Sequence, residues 1–227
     1  MSQFSYIVTY IGSVVIVVSF LLALSVTKSK NIRPYMKHFF VYPLIGIILS
    51  INTILNIHAL FYPKSLNFSI QSLLLTADLV FWVVFFSKLF GHGKDKIKLR
   101  AIFIVALCVG LFFYPFSTID KPNLHIISIF NICKTLFCIY YYYKLFKTAP
   151  NQKIKAEPSF WIVTGLFFYS CLSVPFYALN GYLKSYFPIT ISANLFAVSN
   201  IMIIIMHFFF LKAYSCTARL HKVSLFS

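Results

Sequence analysis

Acidic residues are nearly missing from this chain. Four Asp or Glu stand among 227 residues, against 20 Lys or Arg. Charged residues of either sign make up 11% and hydrophobic ones 60%, whereas a soluble domain spends about a quarter of its residues on charge and under half on apolar side chains. So few polar groups do not coat a water-soluble globule. The same figures exclude a disordered chain, a coiled coil and a disulfide scaffold. None of the five cysteines falls in an expected external loop: Cys108, Cys133, Cys138 and Cys171 lie in apolar runs and Cys216 near the carboxyl terminus. They read as small apolar fillers, and no metal site or cofactor is implied.

Catalytic signatures are missing too. There is no His-Glu-x-x-His, no Gly-x-Ser-x-Gly, no Walker loop and no dinucleotide fingerprint. Paired intramembrane aspartates are excluded by a single acid in the spans. A Ser–His dyad is excluded by Ser199 and His207, which sit two helical turns apart on one helix. A retinal pigment needs a deep lysine in the last span, and Lys212 is at its end. No ring of repeated charge suggests a selective pore. An enzyme is therefore not the expected reading.

What is present is apolar length. A helix needs roughly 20 mostly apolar residues to cross about 30 Å of hydrocarbon, and seven runs qualify: 6–26, 38–61, 68–90, 101–116, 125–146, 160–179 and 189–211. They are apolar on every side, unlike the alternating strands of a β-barrel. The expected fold is all-α: one polytopic domain over 1–227 with seven transmembrane helices. The first run opens with Met1-Ser2-Gln3-Phe4-Ser5 and carries its bases after the run, an order that favours a retained helix over a cleaved signal peptide.

The bases set the orientation. Sixteen flank the connections after spans 1, 3 and 5 and the end of span 7; Lys64, Lys121 and Lys184 stand singly on the other side, and Lys134 lies within span 5. By the positive-inside tendency the amino terminus is outside and the carboxyl terminus cytoplasmic, as a multi-pass protein of the inner membrane. The net charge of +16 sits in short stems at helix ends, where anionic lipid headgroups meet it. No basic block is long enough to follow a nucleic acid backbone. The connections are short, so a soluble module is expected on a partner polypeptide. Trp82, Trp161 and the four tyrosines 140–143 read as an interfacial aromatic belt.

Charge inside a span is expensive and points to function. Asp78 in span 3 and Lys134 in span 5 each lie about ten residues from the outer end, so at 1.5 Å per residue both sit near the midplane. Opposite charge at equal depth suggests a pair. Other polar groups reach similar depths. Asn52 and Asn56 share a face of span 2, and Asn131 shares one with Lys134. Asn200 and His207 lie on one side of span 7, and Tyr169 stands beside Ser170 and Ser173 in span 6. Such groups glue membrane helices together or line an interior cavity. Pro43 and Pro175 are expected to kink spans 2 and 6.

Span 5 ends Tyr140-Tyr141-Tyr142-Tyr143-Lys144-Leu145-Phe146, followed by Pro158, Phe160-Trp161-Ile162 and Gly165-Leu166-Phe167-Phe168-Tyr169. This pattern resembles a group of seven-helix inner-membrane proteins of the Bacteroidetes. Asp78 ahead of Lys88-Leu89 is similar to an acid in the group's third helix. Where the group often has a second acid, near the start of span 5, this chain has Asn131 and Lys134. Some members look like membrane sensor halves of histidine kinases without the kinase, and the resemblance implies signalling.

Three functions fit these observations. The first is a signalling or scaffold subunit with a protein partner in the membrane or at its cytoplasmic face, embedded in membrane lipids. The second is a small-solute transporter that uses the midplane polar groups. The third is a lipid-modifying enzyme.

Overall fold

The computed structural model describes residues 3–27, 33–57, 64–90, 101, 104, 124–148, 154–186 and 189–225. Among them the fold is all-helical, with six α-helices and no strand. These are α1 (Gln3–Thr27), α2 (Val41–Ile57), α3 (Lys64–Phe90), α4 (Leu124–Thr148), α5 (Pro158–Tyr186) and α6 (Ile189–Leu225). They coincide with spans 1, 2, 3, 5, 6 and 7 of the sequence. Span 4 lies outside the described residues apart from Ala101 and Ile104.

Helix α1 shows why these elements need a membrane. Its buried residues are mostly small or polar: Ser5, Thr9, Gly12, Ser19 and Ala23 recur every three or four positions, the period of one helical face. The opposite face carries Phe4, Ile7, Ile11, Val14, Val18 and Leu21, all exposed. A protein in water arranges these two sets the other way round, because a soluble monomer rarely shows a contiguous apolar patch of more than a few hundred Å². Over Gln3–Thr27, Leu73–Phe90, Pro158–Leu179 and Ala197–Arg219 the helices are long and apolar enough to cross a bilayer. The architecture is that of a helical membrane protein. Helix α4 has 25 residues, but its lysines, Asn131 and the four-tyrosine run lower its mean hydropathy.

Each helix packs on the next in chain order, and α6 returns to pack along α1. The six thus close a ring. The most extensive seams are α4–α5, α5–α6 and α1–α6. Gly165 makes the α5–α6 approach possible: a β-carbon there would lie 2.8 Å from Phe209 Cβ and 3.0 Å from the Met206 carbonyl oxygen. One half of the ring is filled by aromatic side chains. Phe39, Trp82, Phe86, Phe137 and Phe210 are almost wholly buried there, and Phe39 meets Phe210 edge to face at 5.2 Å.

Two expectations need correction. Trp82 is not an interfacial residue; it is fully buried, because it stands four positions after Asp78 on the inward face and its indole has a partner there. The chain from Arg33 to Phe40 forms turns, with Met36 N–H donating to Arg33 O at 2.9 Å. Helix α2 therefore starts at Val41, and Pro43 falls in its first turn, where a missing N–H costs no helical bond and no kink is needed. Span 7 is the first part of α6, which continues to Leu225 as a helix of 37 residues, about 55 Å at 1.5 Å per residue.

That continuation is held by the segment between α4 and α5. Cys216 Sγ lies 3.8 Å from Lys155 O, to which the Trp161 indole also donates at 2.9 Å. The Lys212 ammonium stands 5.8 Å above the Trp161 ring. Nearby, Glu157 accepts from Tyr35 Oη at 3.2 Å and faces Arg33 at 3.5 Å. Burial, and then the Glu157 carboxylate, push the Tyr35 phenol above its ordinary range, so it stays a neutral donor.

Candidate functional site

The ring borders a partly open cavity of about 170 Å³ next to the aromatic half. All six helices reach it. Helix α1 supplies Thr9, Gly12 and Ser13; α2 supplies Tyr42, Gly46 and Ser50; α3 supplies Asp78. Asn131 and Lys134 come from α4, Tyr169 from α5, and Asn200 and His207 from α6. Six of the eight polar residues singled out in the sequence thus meet in one place. Asn52 is buried in α2 but does not line the cavity. The side chain of Asn56 lies outside the described residues.

The charged pair forms the wall on the α3–α4 side. Lys134 Nζ donates to Asp78 Oδ2 in a buried ion pair. The second carboxylate oxygen, Oδ1, accepts from Trp82 Nε1 at 3.0 Å. Lys134 also reaches Asn131 Oδ1 at 3.4 Å. Depth and helical register bring these four groups together: Asp78 and Trp82 are four apart on α3, and Asn131 and Lys134 are three apart on α4. Removing one charge strands the other in a medium that solvates it poorly, at about 3–5 kcal/mol.

The opposite wall is neutral. Asn200 Nδ2 donates to Thr9 Oγ1 at 2.9 Å, and Thr9 Oγ1 donates in turn to Ser5 O at 2.8 Å, tying α6 to α1. His207 is almost fully buried, packed edge to face on Phe210 at 5.2 Å and near Tyr42. The Tyr42 hydroxyl donates to the Met206 sulfur at 3.7 Å, a weak acceptor, and is also hydrogen-bonded to Trp82.

Two buried atoms on the cavity wall have no hydrogen-bond partner: Asn131 Nδ2 and His207 Nδ1. Buried polar atoms are paired in the great majority of cases, and leaving one unpaired costs roughly 1–3 kcal/mol. Both residues, Asn131 on α4 and His207 on α6, belong to the cavity lining. No group of three His, Cys, Asp or Glu among the described residues is arranged to hold a metal.

Tyr42, Trp82, Thr9 and Ser13 belong to the site and escaped the sequence. Trp82 was legible in principle, since it lies one helical turn from Asp78 on the same face. Thr9 and Ser13 belong to the periodic small-residue stripe of α1. Nothing in the sequence marks Tyr42. Compared with protein-family models, curated proteins and solved structures, the chain finds no match.

Proposed function

We propose that the protein is a seven-helix protein of the inner membrane, amino terminus outside and carboxyl terminus cytoplasmic, that binds a small polar solute among its helices and carries it across the bilayer. The observation that supports this is a cavity lined by polar residues from all six helices, with the buried Asp78–Lys134 pair in its wall. Discontinuous or kinked helices often serve transporters, and Pro175 within α5 supplies one point of flexure.

A second reading has its own support. Helix α6 lines the cavity with Asn200 and His207 and then continues past it to Leu225. A solute that shifts His207 shifts the far end of the same rigid rod, where a protein partner has access. In that form the protein is a signalling subunit that reports occupancy. Nothing among the described residues favours lipid modification: both oxygens of Asp78 are engaged, and no nucleophile faces a base in the cavity.

The test is a thermal-shift screen of small polar solutes on the purified protein in lipid nanodiscs, run beside the Asn131→Leu/His207→Phe double variant. At least one solute is expected to stabilise the wild type by several degrees and to leave the variant unmoved. If no solute separates the two, the cavity is structural and the proposal fails. Uptake of the stabilising solute into proteoliposomes then supports transport. Binding without uptake, together with a co-purifying protein, supports signalling.

A further inference from the structure

The cavity has one closed end. Along each helix the residues that line it give way to the aromatic core within about two turns, always toward the same side of the bundle. On α3 the lining stops at Asp78 and the core starts at Trp82; on α4 the change falls between Lys134 and Phe137, and on α6 between His207 and Phe210. The chain enters α2 and α5 from the opposite side, and there the order is reversed: Phe39 of the core precedes Tyr42 of the lining, and Leu166 precedes Tyr169. On α1 the lining ends at Ile16 and the core takes up Ala23. Among the buried residues of that core only Met206 also lines the cavity. A reversal on the helices of opposite direction is what a wall at one fixed depth requires.

That wall is tight. Phe39, Trp82, Phe86, Phe137, Leu166 and Phe210 are each no more than 1% exposed. Phe39 meets Trp82 at 6.2 Å and Phe210 at 5.2 Å, and Phe86 meets Phe137 at 5.5 Å. Rings from the turn before α2, from α3, from α4 and from α6 thus interlock. On α3 the core runs from Trp82 to Phe90, about 12 Å at 1.5 Å per residue. Close-packed interiors leave few voids as large as a water molecule, so a polar solute does not cross this layer as it stands.

The other end of the cavity differs. Its lining reaches Thr9 on α1 and Ile127 on α4, the latter three residues after the helix starts at Leu124, or about 5 Å of helix. Ser13 and Ser50, both partly exposed, stand along the same stretch on α1 and α2. A partly open space that is shut on one side opens at the far end or sideways between helices, and the reach of Ile127 favours the end. It is the end at which α1, α3, α4 and α6 begin, and so the end of the amino terminus.

We propose that the cavity is loaded from the face of the bundle that carries the amino terminus, and that the aromatic layer around Phe39, Trp82 and Phe210 is a closed gate toward the opposite face. With the orientation proposed above, the solute comes from outside the cell and meets Asp78 and Lys134 before it meets the gate. Transport then requires the layer to part. A signalling subunit keeps it shut and passes the change along α6, which contributes Phe210 to the layer and runs on to Leu225.

This rests on the solute-binding reading for its purpose, but its test uses no solute, so the two fail separately. Ser13→Cys and Ser50→Cys each exchange one small polar side chain for another. Sealed vesicles of both orientations are treated with small membrane-impermeant methanethiosulfonates, one cationic and one anionic, and the wild-type cysteines set the background. A protease-sensitive tag reports which face the amino terminus is on. Both variants are expected to gain labelling when the reagent is on the amino-terminal face and to gain none when it is on the opposite face. Labelling from the opposite face alone reverses the route of access. Labelling from both faces denies the gate, and labelling from neither shows a cavity that is sealed or open only to lipid; each of the three overturns the proposal. The two positions lie on different helices, so a variant that fails to fold leaves the other to decide.

Discussion

Asp78 and Lys134 each make sense only in the presence of the other. Both are almost fully buried, and an isolated carboxylate or ammonium at that depth faces a penalty of several kcal/mol. We expect Asp78→Leu or Lys134→Met alone to destabilise the protein by about 3–5 kcal/mol, the usual effect of stranding one half of a buried pair. The double variant recovers a large part, because residues in direct contact are not additive. Unfolding of all four proteins of the cycle in the same detergent measures this; equal and additive losses would show that the two charges act independently. The pair was legible in the sequence because depth follows from simple counting along two helices. Trp82 was not read correctly. A tryptophan near a helix end fits a membrane interface and a buried partner equally well, and the register that assigns it to Asp78 matters only once the inward face of α3 is known.

At the scale of the helices, close approach decides which pairs adhere. Lipid tails are as apolar as leucine, so association in a bilayer depends on packing and interhelical hydrogen bonds. The α4–α5 seam has the bonds: Tyr141 Oη meets Ser159 Oγ at 3.0 Å, Tyr142 Oη meets Thr164 Oγ1 at 2.8 Å, and Thr135 donates to Ser170 at 3.0 Å. The α5–α6 seam has Gly165 against Phe209 and the Met206 carbonyl. We expect Gly165→Ala to destabilise by about 1–3 kcal/mol, as overpacking does, because a carbonyl oxygen in a helix has little room to retreat. Gly12→Ala is the control. Its β-carbon would meet Ile204 at 3.7 Å, an ordinary contact, so a stability change of less than about 1 kcal/mol is expected from helix propensity alone. Thermal melts of both variants separate the two outcomes; an unchanged Gly165→Ala would mean that α5 and α6 slide apart freely. The four tyrosines 140–143 show how an element divides a uniform run. Tyr141 is buried while Tyr143 is 60% exposed, because four consecutive residues cover more than a full turn.

For the whole molecule the distribution of charge and apolar surface carries the argument. The proposed orientation puts Lys64 outside and Lys155 in the cytoplasm. We expect Lys64→Cys to react with an impermeant thiol reagent in intact cells and Lys155→Cys to react only after permeabilisation, with the wild-type cysteines as background. Labelling in the reverse pattern would invert the proposed topology. The same orientation places the Arg33–Glu157–Tyr35 cluster and the continuation of α6 on the cytoplasmic side, where the two connecting segments and the last helix meet.

Helical class, membrane residence and the two charged positions follow directly from the order of residues, because hydrophobic length and charge depth are properties of a chain counted along one dimension. The cavity does not follow. It exists because α6 returns to α1 and closes a ring, so that Asn200 and His207 face Asn131 and Lys134 across a space that no spacing in the sequence describes. The start of α2 at Val41 and the run of α6 to Leu225 were likewise set by contacts: the Arg33 turn packs against Glu157, Cys216 lies against the segment before α5, and Lys212 lies over Trp161 in the first turn of that helix. Local pattern selects helices in lipid; which polar faces end up opposite one another depends on which helices pack, and that is settled by shape and hydrogen bonding between residues far apart in the chain.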